Sequence, residues 1–455
     1  MPIGSIVFAI LAIAAFGWAA RQFLKIRRNI LLGKEADIEP GRAGERWKNV
    51  VLIAFGQKKM FKRWIPAVFH LFIYVAFIFT QIELIEIIID GLFSQHRFFA
   101  DKLGGFYGVL ISFIEILSVL AFVATVIFLI RRNGLKIPRL SMPELKGWPK
   151  LDANLILVFE IILLIGIFSM NGADMVLQNR GVMGYPDTGG LVFSQWLGPF
   201  LFDGFSSETL YYIERFGWWL HLGMVFIFLN YLPISKHLHI MLAFPNTYYA
   251  KLEPKGEMDN MPEVMKEVKS MMDPEAAFDE SAMEEELPTF GANDIFDLSW
   301  KNLLGAYSCT ECGRCTAVCP ANITGKKLSP RKIVMNVRDR AEEVGKKLDS
   351  GDPEFIREEV RGEGVTLTKE NFDDGRSLFD YISREELHAC TTCQACIEAC
   401  PVMINPLEPI LAMRRYEILT ESAGPSDWVP MFTSIENTGA VWAVTEDREA
   451  WMREG

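Results

Sequence analysis

Beyond two twelve-residue runs near its C-terminus, the 455-residue chain has no cysteine. A disulfide framework spread over the fold is thereby excluded. No glycine-rich loop stands at a strand-to-helix junction, no activated nucleophile sits beside a base, and no flavin fingerprint appears. A basic excess is missing as well: 46 Lys and Arg stand against 57 Asp and Glu, a net charge of −11, and nothing suggests nucleic-acid binding. The first apolar run, opening MPIGSIVF, has no basic residue ahead of it. Its positive cluster (Arg21, Lys25, Arg27, Arg28) comes after, so the run reads as a retained span with an outside N-terminus rather than a cleaved signal.

What cysteine there is forms one pattern twice. CTECGRCTAVCP (Cys309 to Pro320) and CTTCQACIEACP (Cys390 to Pro401) both read CxxCxxCxxxCP and use all eight cysteines. That is a ligand set for two 4Fe-4S clusters. Three thiolates at three-residue spacing wrap one cubane, and the fourth, beside a proline that turns the chain, points to the other. Crossed ligation is expected: Cys309, Cys312, Cys315 and Cys400 for one cluster, and Cys390, Cys393, Cys396 and Cys319 for the other. A pair of zinc ribbons has no use for a third evenly spaced cysteine.

The rest of the chain says what the clusters are wired to. Half of the residues are apolar, with 33 Phe and 11 Trp, too many for an ordinary soluble ferredoxin. Stretches long enough to cross a bilayer fall at 3–24, 65–92, 107–130, 151–171 and 209–234. Residues 25–64 hold 11 Lys and Arg and 131–150 hold 6, against 2 in 93–106 and 1 in 172–208. By the positive-inside rule the fifth span exits into the cytoplasm and delivers the cysteines there. Residues 252–297 hold 14 Asp or Glu against 3 Lys and read as an acidic linker with one short helix around Glu263 to Met272. Between the runs, LSPRKIVMNVRDRAEEVGKKL puts Ile333, Val334 and Val337 on one helical face, with Ser329 as cap and Pro330 at the first position. Neither strand alternation nor tight hairpins appear there. The fold class is all-α: a five-span bundle followed by a helical dicluster domain.

Six histidines are present. A lone histidine inside a membrane reads as an interhelical hydrogen bond. Two on different spans, in a chain built for electrons, read as the axial ligands of one b-type haem, and His70 with His221 is the expected pair. His221 and His239 lie 18 residues apart, on one face about 27 Å apart if the helix runs on through Pro233. His239 is the candidate ligand of a second haem, with no obvious partner on the second span. Glu83, Glu86, Asp90, Glu115 and Glu160 lie within spans, where a proton or quinol route and structural pairing with Arg97 or hydroxyls are both open.

YLPISKHLHI, CTECGRCTAVCPANITGKKLSPRKI and LHACTTCQACIEACPVMINPLEPILAMRR carry a resemblance to the membrane-bound iron-sulfur oxidoreductases related to heterodisulfide reductase. The first 245 residues resemble the haem b gamma subunit of respiratory nitrate reductase. Residues 290–415 resemble the dicluster domain of succinate dehydrogenase iron-sulfur subunits and of the anaerobic glycerol-3-phosphate dehydrogenase C subunit. The resemblance implies a transmembrane domain at 1–250, a linker at 251–297, a dicluster domain at 298–420 and an extension at 421–455. It implies a multi-pass inner-membrane subunit that relays electrons between quinone and a cytoplasmic partner through one b-type haem and two 4Fe-4S clusters. The gamma pattern has two histidines on each of two spans, whereas the second span here supplies one. Longer members of the family continue into cysteine-rich CCG domains, and no cysteine follows Cys400, so the substrate-reacting module is expected on a separate subunit. The alternatives are a haem-free anchor for a ferredoxin domain, a redox sensor, and a complete enzyme reacting at an open iron site.

Overall fold

Where no water is at hand, backbone amides must be satisfied within the segment, so apolar runs in a membrane become helices. In the computed structural model, which describes residues 3–254, 256–258, 260–272, 290–442, 449, 452 and 453, five helical segments are long and apolar enough to cross a bilayer: Ile3–Ile30, Ala43–Phe93, Gly105–Asn133, Trp148–Asn179 and Ser207–Ile234. They comprise α1 (Ile3–Ile30), α2 (Ala43–Asn49) leading through short turns into α3 (Trp64–Phe93), α4 (Gly105–Asn133), α5 (Trp148–Asn179) and, after the short α6 (Ser194–Phe202), α7 (Ser207–Tyr231). The expected spans are all present. Arg27 and Arg28 close α1, and Arg131 and Arg132 close α4, cations at the helix ends where the dipole favours them.

α5 and α7 pack backbone to backbone. A Cβ on Gly217 would stand 2.7 Å from Met170 N and 2.8 Å from Gly166 O, and one on Gly166 would stand 2.8 Å from His221 N. In lipid, where apolar surface gives no drive to associate, such close approach supplies the packing that holds helices together. Gly217→Ala is therefore expected to destabilise the bundle by about 1–3 kcal/mol, the usual cost of overpacking. A denaturation midpoint in detergent equal to that of the wild type would contradict the close contact.

The five carboxylates picked out within the spans, Glu83, Glu86, Asp90, Glu115 and Glu160, all have partners. Arg97 donates to Asp174 at 2.7 and 3.0 Å and to Asn171 at 2.6 Å, and Asn171 donates to Glu83 at 3.2 Å. Glu86 accepts from Phe99 N and Tyr107 Oη, both at 2.8 Å. Asp90 accepts from the amides of Arg97 and Phe98, and Glu160 accepts from Thr125 at 2.9 Å. Glu115 takes the amides of Phe193 and Ser194 and the Ser194 hydroxyl, which seats the start of α6 against α4. Charged groups kept out of water need such partners.

α7 ends at Tyr231, two single 3-10 turns follow (Leu232–Ile234 and Lys236–Leu238), and α8 (His239–Tyr248) starts anew. Pro233 cannot donate the next helical bond. α9 (Pro262–Met272) is the expected short helix of the acidic stretch; positions 273–289 of that stretch lie outside the described residues.

The C-terminal half has no sheet among the described residues, only an isolated bridge between Ile356 and Phe372 and another that joins Ser299 to Lys34. Ser299 caps α10 (Trp300–Tyr307), and Ser329 caps α11 (Pro330–Ser350) by accepting from Lys332 N. Gly351, in the left-handed conformation, ends α11. Ile333, Val334 and Val337 are buried as expected, together with Leu303, Tyr307, Leu387 and, from α12 (Leu407–Arg415), Ile410 and Met413. The same core takes in Ile26, Ile30 and Leu32 from the end of α1.

That shared core is reinforced at every neighbouring loop. Lys34 exchanges backbone bonds of 2.8 Å with Leu298 and Trp300. Asn29 donates to Tyr307 Oη at 3.0 Å, Arg28 to Gly345 O at 2.8 Å, and Arg331 pairs with Glu144 at 2.7 Å. Lys236 pairs with Glu311. The dicluster half thus sits on the end of the bundle that carries the Lys- and Arg-rich loops.

Candidate iron-sulfur and histidine sites

The two cysteine runs share one backbone shape. The second and fourth residues after the first cysteine are left-handed in both: Glu311 (φ 53°) and Gly313 (φ 69°) in one, Thr392 (φ 53°) and Gln394 (φ 61°) in the other. Alternating right- and left-handed residues turn successive amides inward into an anion-binding concavity of the kind that iron-sulfur sites use. Three of the four lack glycine's freedom, so the loops hold strain of the sort that collects at functional sites. Glu311 N and Thr392 N each lie 3.4 Å from the sulfur of the first cysteine of their run, and Ile404 N lies 3.3 Å from Cys400 Sγ. The fourth cysteines are extended alike, Cys319 at φ −73°, ψ 118° and Cys400 at φ −71°, ψ 122°, as a following proline requires.

The thiols act on one another in two main sets. Burial pushes the Cys309 thiol up to about 12, and the Glu311 carboxylate, then Cys312 and Cys400, push it the same way. Cys315 is raised by burial and then by Cys312, Cys309 and Cys400, with Cys396 last; Cys400 is raised by burial and then by Cys312. In the other set Cys396 is pushed up to about 12 by burial, then by Cys390, Cys319 and Cys393, and Cys390 is raised by burial with Cys319 and Cys393 adding to it. Each run therefore has the last cysteine of the other beside it. Among the described residues no three His, Cys, Asp or Glu close on a single metal ion; a cubane takes each thiolate at a different iron and spreads them more widely. Thiols held this far up must give their protons to solvent as metal binds. Cys393 is the exposed member, while Cys309, Cys319 and Cys400 are buried.

The histidines are arranged otherwise than their spacing suggested. The His70 and His239 rings lie 6.5 Å apart, inclined by 45°, and His237 lies 5.5 Å from His239. A metal about 2 Å from a ring nitrogen on each side puts two imidazole centroids roughly 6 Å apart. His239 Nδ1 donates to Lys236 O at 3.1 Å and His70 Nδ1 lies 3.1 Å from Gln57 Oε1, contacts that fix the orientation of each ring through Nδ1. His221 is buried and gives Nδ1 to Leu163 O at 3.0 Å. Among the described ring contacts it meets neither His70 nor His239. The expected pairing of His70 with His221 has no counterpart among these ring contacts; the ring that meets His70 is that of His239, because α7 breaks at Pro233 and α8 starts anew. His237 packs on Phe228, His96 bonds Asp174, and His388 bonds Glu417.

Spacing gave no sign of the residues that join the two sites. Arg314, between Cys312 and Cys315, donates to Lys59 O at 3.3 Å and Met60 O at 3.2 Å, and Gln57 of the same turn holds His70. Lys59 Nζ in turn donates to Ile397 O, between Cys396 and Cys400.

Five apolar spans under a pair of matched cysteine loops define a membrane protein with a 4Fe-4S dicluster domain. The 4Fe-4S dicluster domain family matches residues 308–404. The chain is similar to iron-sulfur oxidoreductases: it is 30% identical over 440 residues to the probable iron-sulfur-binding oxidoreductase FadF of Bacillus subtilis, covering 93% of this chain and 57% of FadF. It is 26% identical over 420 residues to the EtfAB:quinone oxidoreductase of Syntrophomonas wolfei, covering 89% and 53%. A probable membrane-anchored ferredoxin of Chromohalobacter salexigens is 36% identical over 145 residues, 30% of this chain and 20% of that protein. The chain spans about half the length of the first two of these curated relatives. No solved structure matches it significantly.

Proposed function

We propose that the chain relays electrons between a cytoplasmic redox partner and the membrane quinone pool. The observation that carries this is the short bonded path from Arg314, inside the first cysteine loop, through the Gln57–Met60 turn to His70. In this reading Cys309, Cys312, Cys315 and Cys400 hold the cluster next to the bundle, and Cys390, Cys393, Cys396 and Cys319 hold the other, whose exposed Cys393 faces the partner. His70 and His239 hold one b-type haem. Clusters and haem supply one-electron steps; the protein's own groups fix their spacing and keep water out. Buried Ile26, Ile30 and Leu32 lock the dicluster half to α1, so the spacing does not vary.

The domain boundaries follow as 1–250, 251–297, 298–420 and 421–455, with the N-terminus outside and the clusters in the cytoplasm. Support for that orientation is the docking of the dicluster half on the Lys- and Arg-rich loops. The name of the Syntrophomonas relative supports quinone as the membrane partner and an EtfAB-type protein as the soluble one; a CCG-domain subunit is the other candidate. The test is anaerobic purification of the chain, reduction by the soluble partner, and addition of a short-chain quinone. Oxidation of the clusters and of a b-type absorption band by the quinone is expected. A reduced spectrum with no b-type band assigns the chain instead to the haem-free anchors.

A further inference from the structure

A guanidinium kept from water needs a counter-charge, and near Cys312 two of them have none supplied by protein carboxylates. Arg139 and Arg314 are 8% and 5% exposed. Arg139 donates to Cys312 O, and Arg314 to the carbonyls of Lys59 and Met60. Among the described residues no carboxylate pairs with either. The anionic group that acts on Arg139 is the Cys312 sulfur, and those that act on Arg314 are the sulfurs of Cys312 and Cys400; Arg63 and Arg131 press on both from the bundle side. Glu311, the acidic residue in this loop, is already matched by Lys236 and Arg338.

The second cysteine set is surrounded differently. Arg414 is the guanidinium at this set, donating to Cys390 O at 2.7 Å. It acts together with the buried Glu417, which also takes Arg384 at 2.9 Å and His388 at 2.8 Å. The first cysteine set thus has Arg139 and Arg314 beside it with no carboxylate pairing either among the described residues, and the second has Arg414 beside the carboxylate of Glu417. A cluster bound by four thiolates is an anion and gains one more negative charge on reduction, so nearby cations favour the reduced form.

We propose that Arg139 and Arg314, backed by Arg63 and Arg131, hold the reduction potential of the Cys309, Cys312, Cys315 and Cys400 cluster above that of its neighbour, which makes electron flow toward the bundle the downhill direction. The inference rests on the ligand sets given under the proposed function. Each step moves one electron from the Cys393-side cluster to the Arg139-side cluster, with no bond made or broken. The soluble redox protein supplies electrons, and quinone, taking two electrons and two protons, removes them.

The experiment is an EPR-monitored redox titration of the full chain in detergent, with the Cys309→Ser variant identifying which signal belongs to which cluster. Arg139→Gln and Arg314→Gln are each expected to lower the reduction equilibrium constant of the Arg139-side cluster about tenfold, a downward shift of about 59 mV for one electron, and to leave the other cluster where it was. Arg139→Lys and Arg314→Lys, which keep the charge, should titrate as the wild type. Unmoved potentials in both Gln variants, equal shifts of the two clusters, or a wild-type Arg139-side cluster that is the harder to reduce would each overturn the proposal. Should Arg139→Gln lose iron, Arg314→Gln decides, since its bonds go to the bundle and not to a cysteine carbonyl. Loss of both clusters in Cys309→Ser would sink the ligand sets instead, a result distinct from an unshifted potential.

Discussion

Cys400→Ser is expected to remove the same cluster as Cys309→Ser, although 91 residues separate the two positions. Cys319→Ser is expected to remove the one that Cys390→Ser removes. The argument is the placement of each fourth cysteine. Cys400 acts on Cys309 and Cys315, while Cys319 acts on Cys390 and Cys396. Both fourth residues are forced into extended backbone by the proline that follows, which carries the sulfur away from its own loop. Each single substitution should halve the non-haem iron bound per chain and erase one of two EPR signals. If Cys400→Ser and Cys309→Ser erase different signals, the runs bind their clusters separately and the crossing is wrong.

His239→Ala and His70→Ala should each abolish the b-type absorption band, whereas His221→Ala should leave it in place. The 6.5 Å separation of the His70 and His239 rings suits one metal between them, and Gln57 and the Lys236 carbonyl already fix the other nitrogen of each ring. His221 spends its Nδ1 on Leu163 O across the tight α5–α7 contact, a helix-to-helix bond of the ordinary kind. Reduced-minus-oxidised spectra of the three variants decide: a band lost in His221→Ala and kept in His239→Ala would reverse the pairing. Because His221 bonds across helices, its variant is expected to lower thermal stability while the band persists, a split that a general folding defect does not produce.

Sequence pattern carried much of this architecture. Span lengths follow from hydropathy, since only a helix satisfies its backbone in lipid, and Ser329-Pro330 marked the start of α11 because cap and first-turn chemistry are local. The repeated CxxCxxCxxxCP also set out the two loops, because both ligand spacing and the proline turn are local. The histidine pairing was not legible in the same way. An 18-residue interval places His221 and His239 on one face only along an unbroken helix, and the 3-10 turns around Pro233 redirect the second of them by an amount no periodicity encodes. Nor does hydropathy tell Ile26 and Ile30, which enter the dicluster core, from their neighbour Leu24, which is 65% exposed on the same helix. Arg314 reaches the turn that carries Gln57 through a contact with Met60, 254 residues away, and neither residue type is unusual where it stands.

The seating of α1 in the dicluster core bears on how the relay runs in time. A head on a free tether must search for its acceptor, and its turnover then depends on viscosity and on tether length. Here the last turn of α1 and the bonds at Lys34, Asn29 and Arg28 clamp the head directly to the bundle, so the acidic stretch that joins the halves along the chain does not set its reach. Under the proposed relay, transfer between the halves would be tunnelling across a fixed gap, indifferent to solvent viscosity, and the slow, diffusive part of the cycle would be left to the mobile carriers at either end.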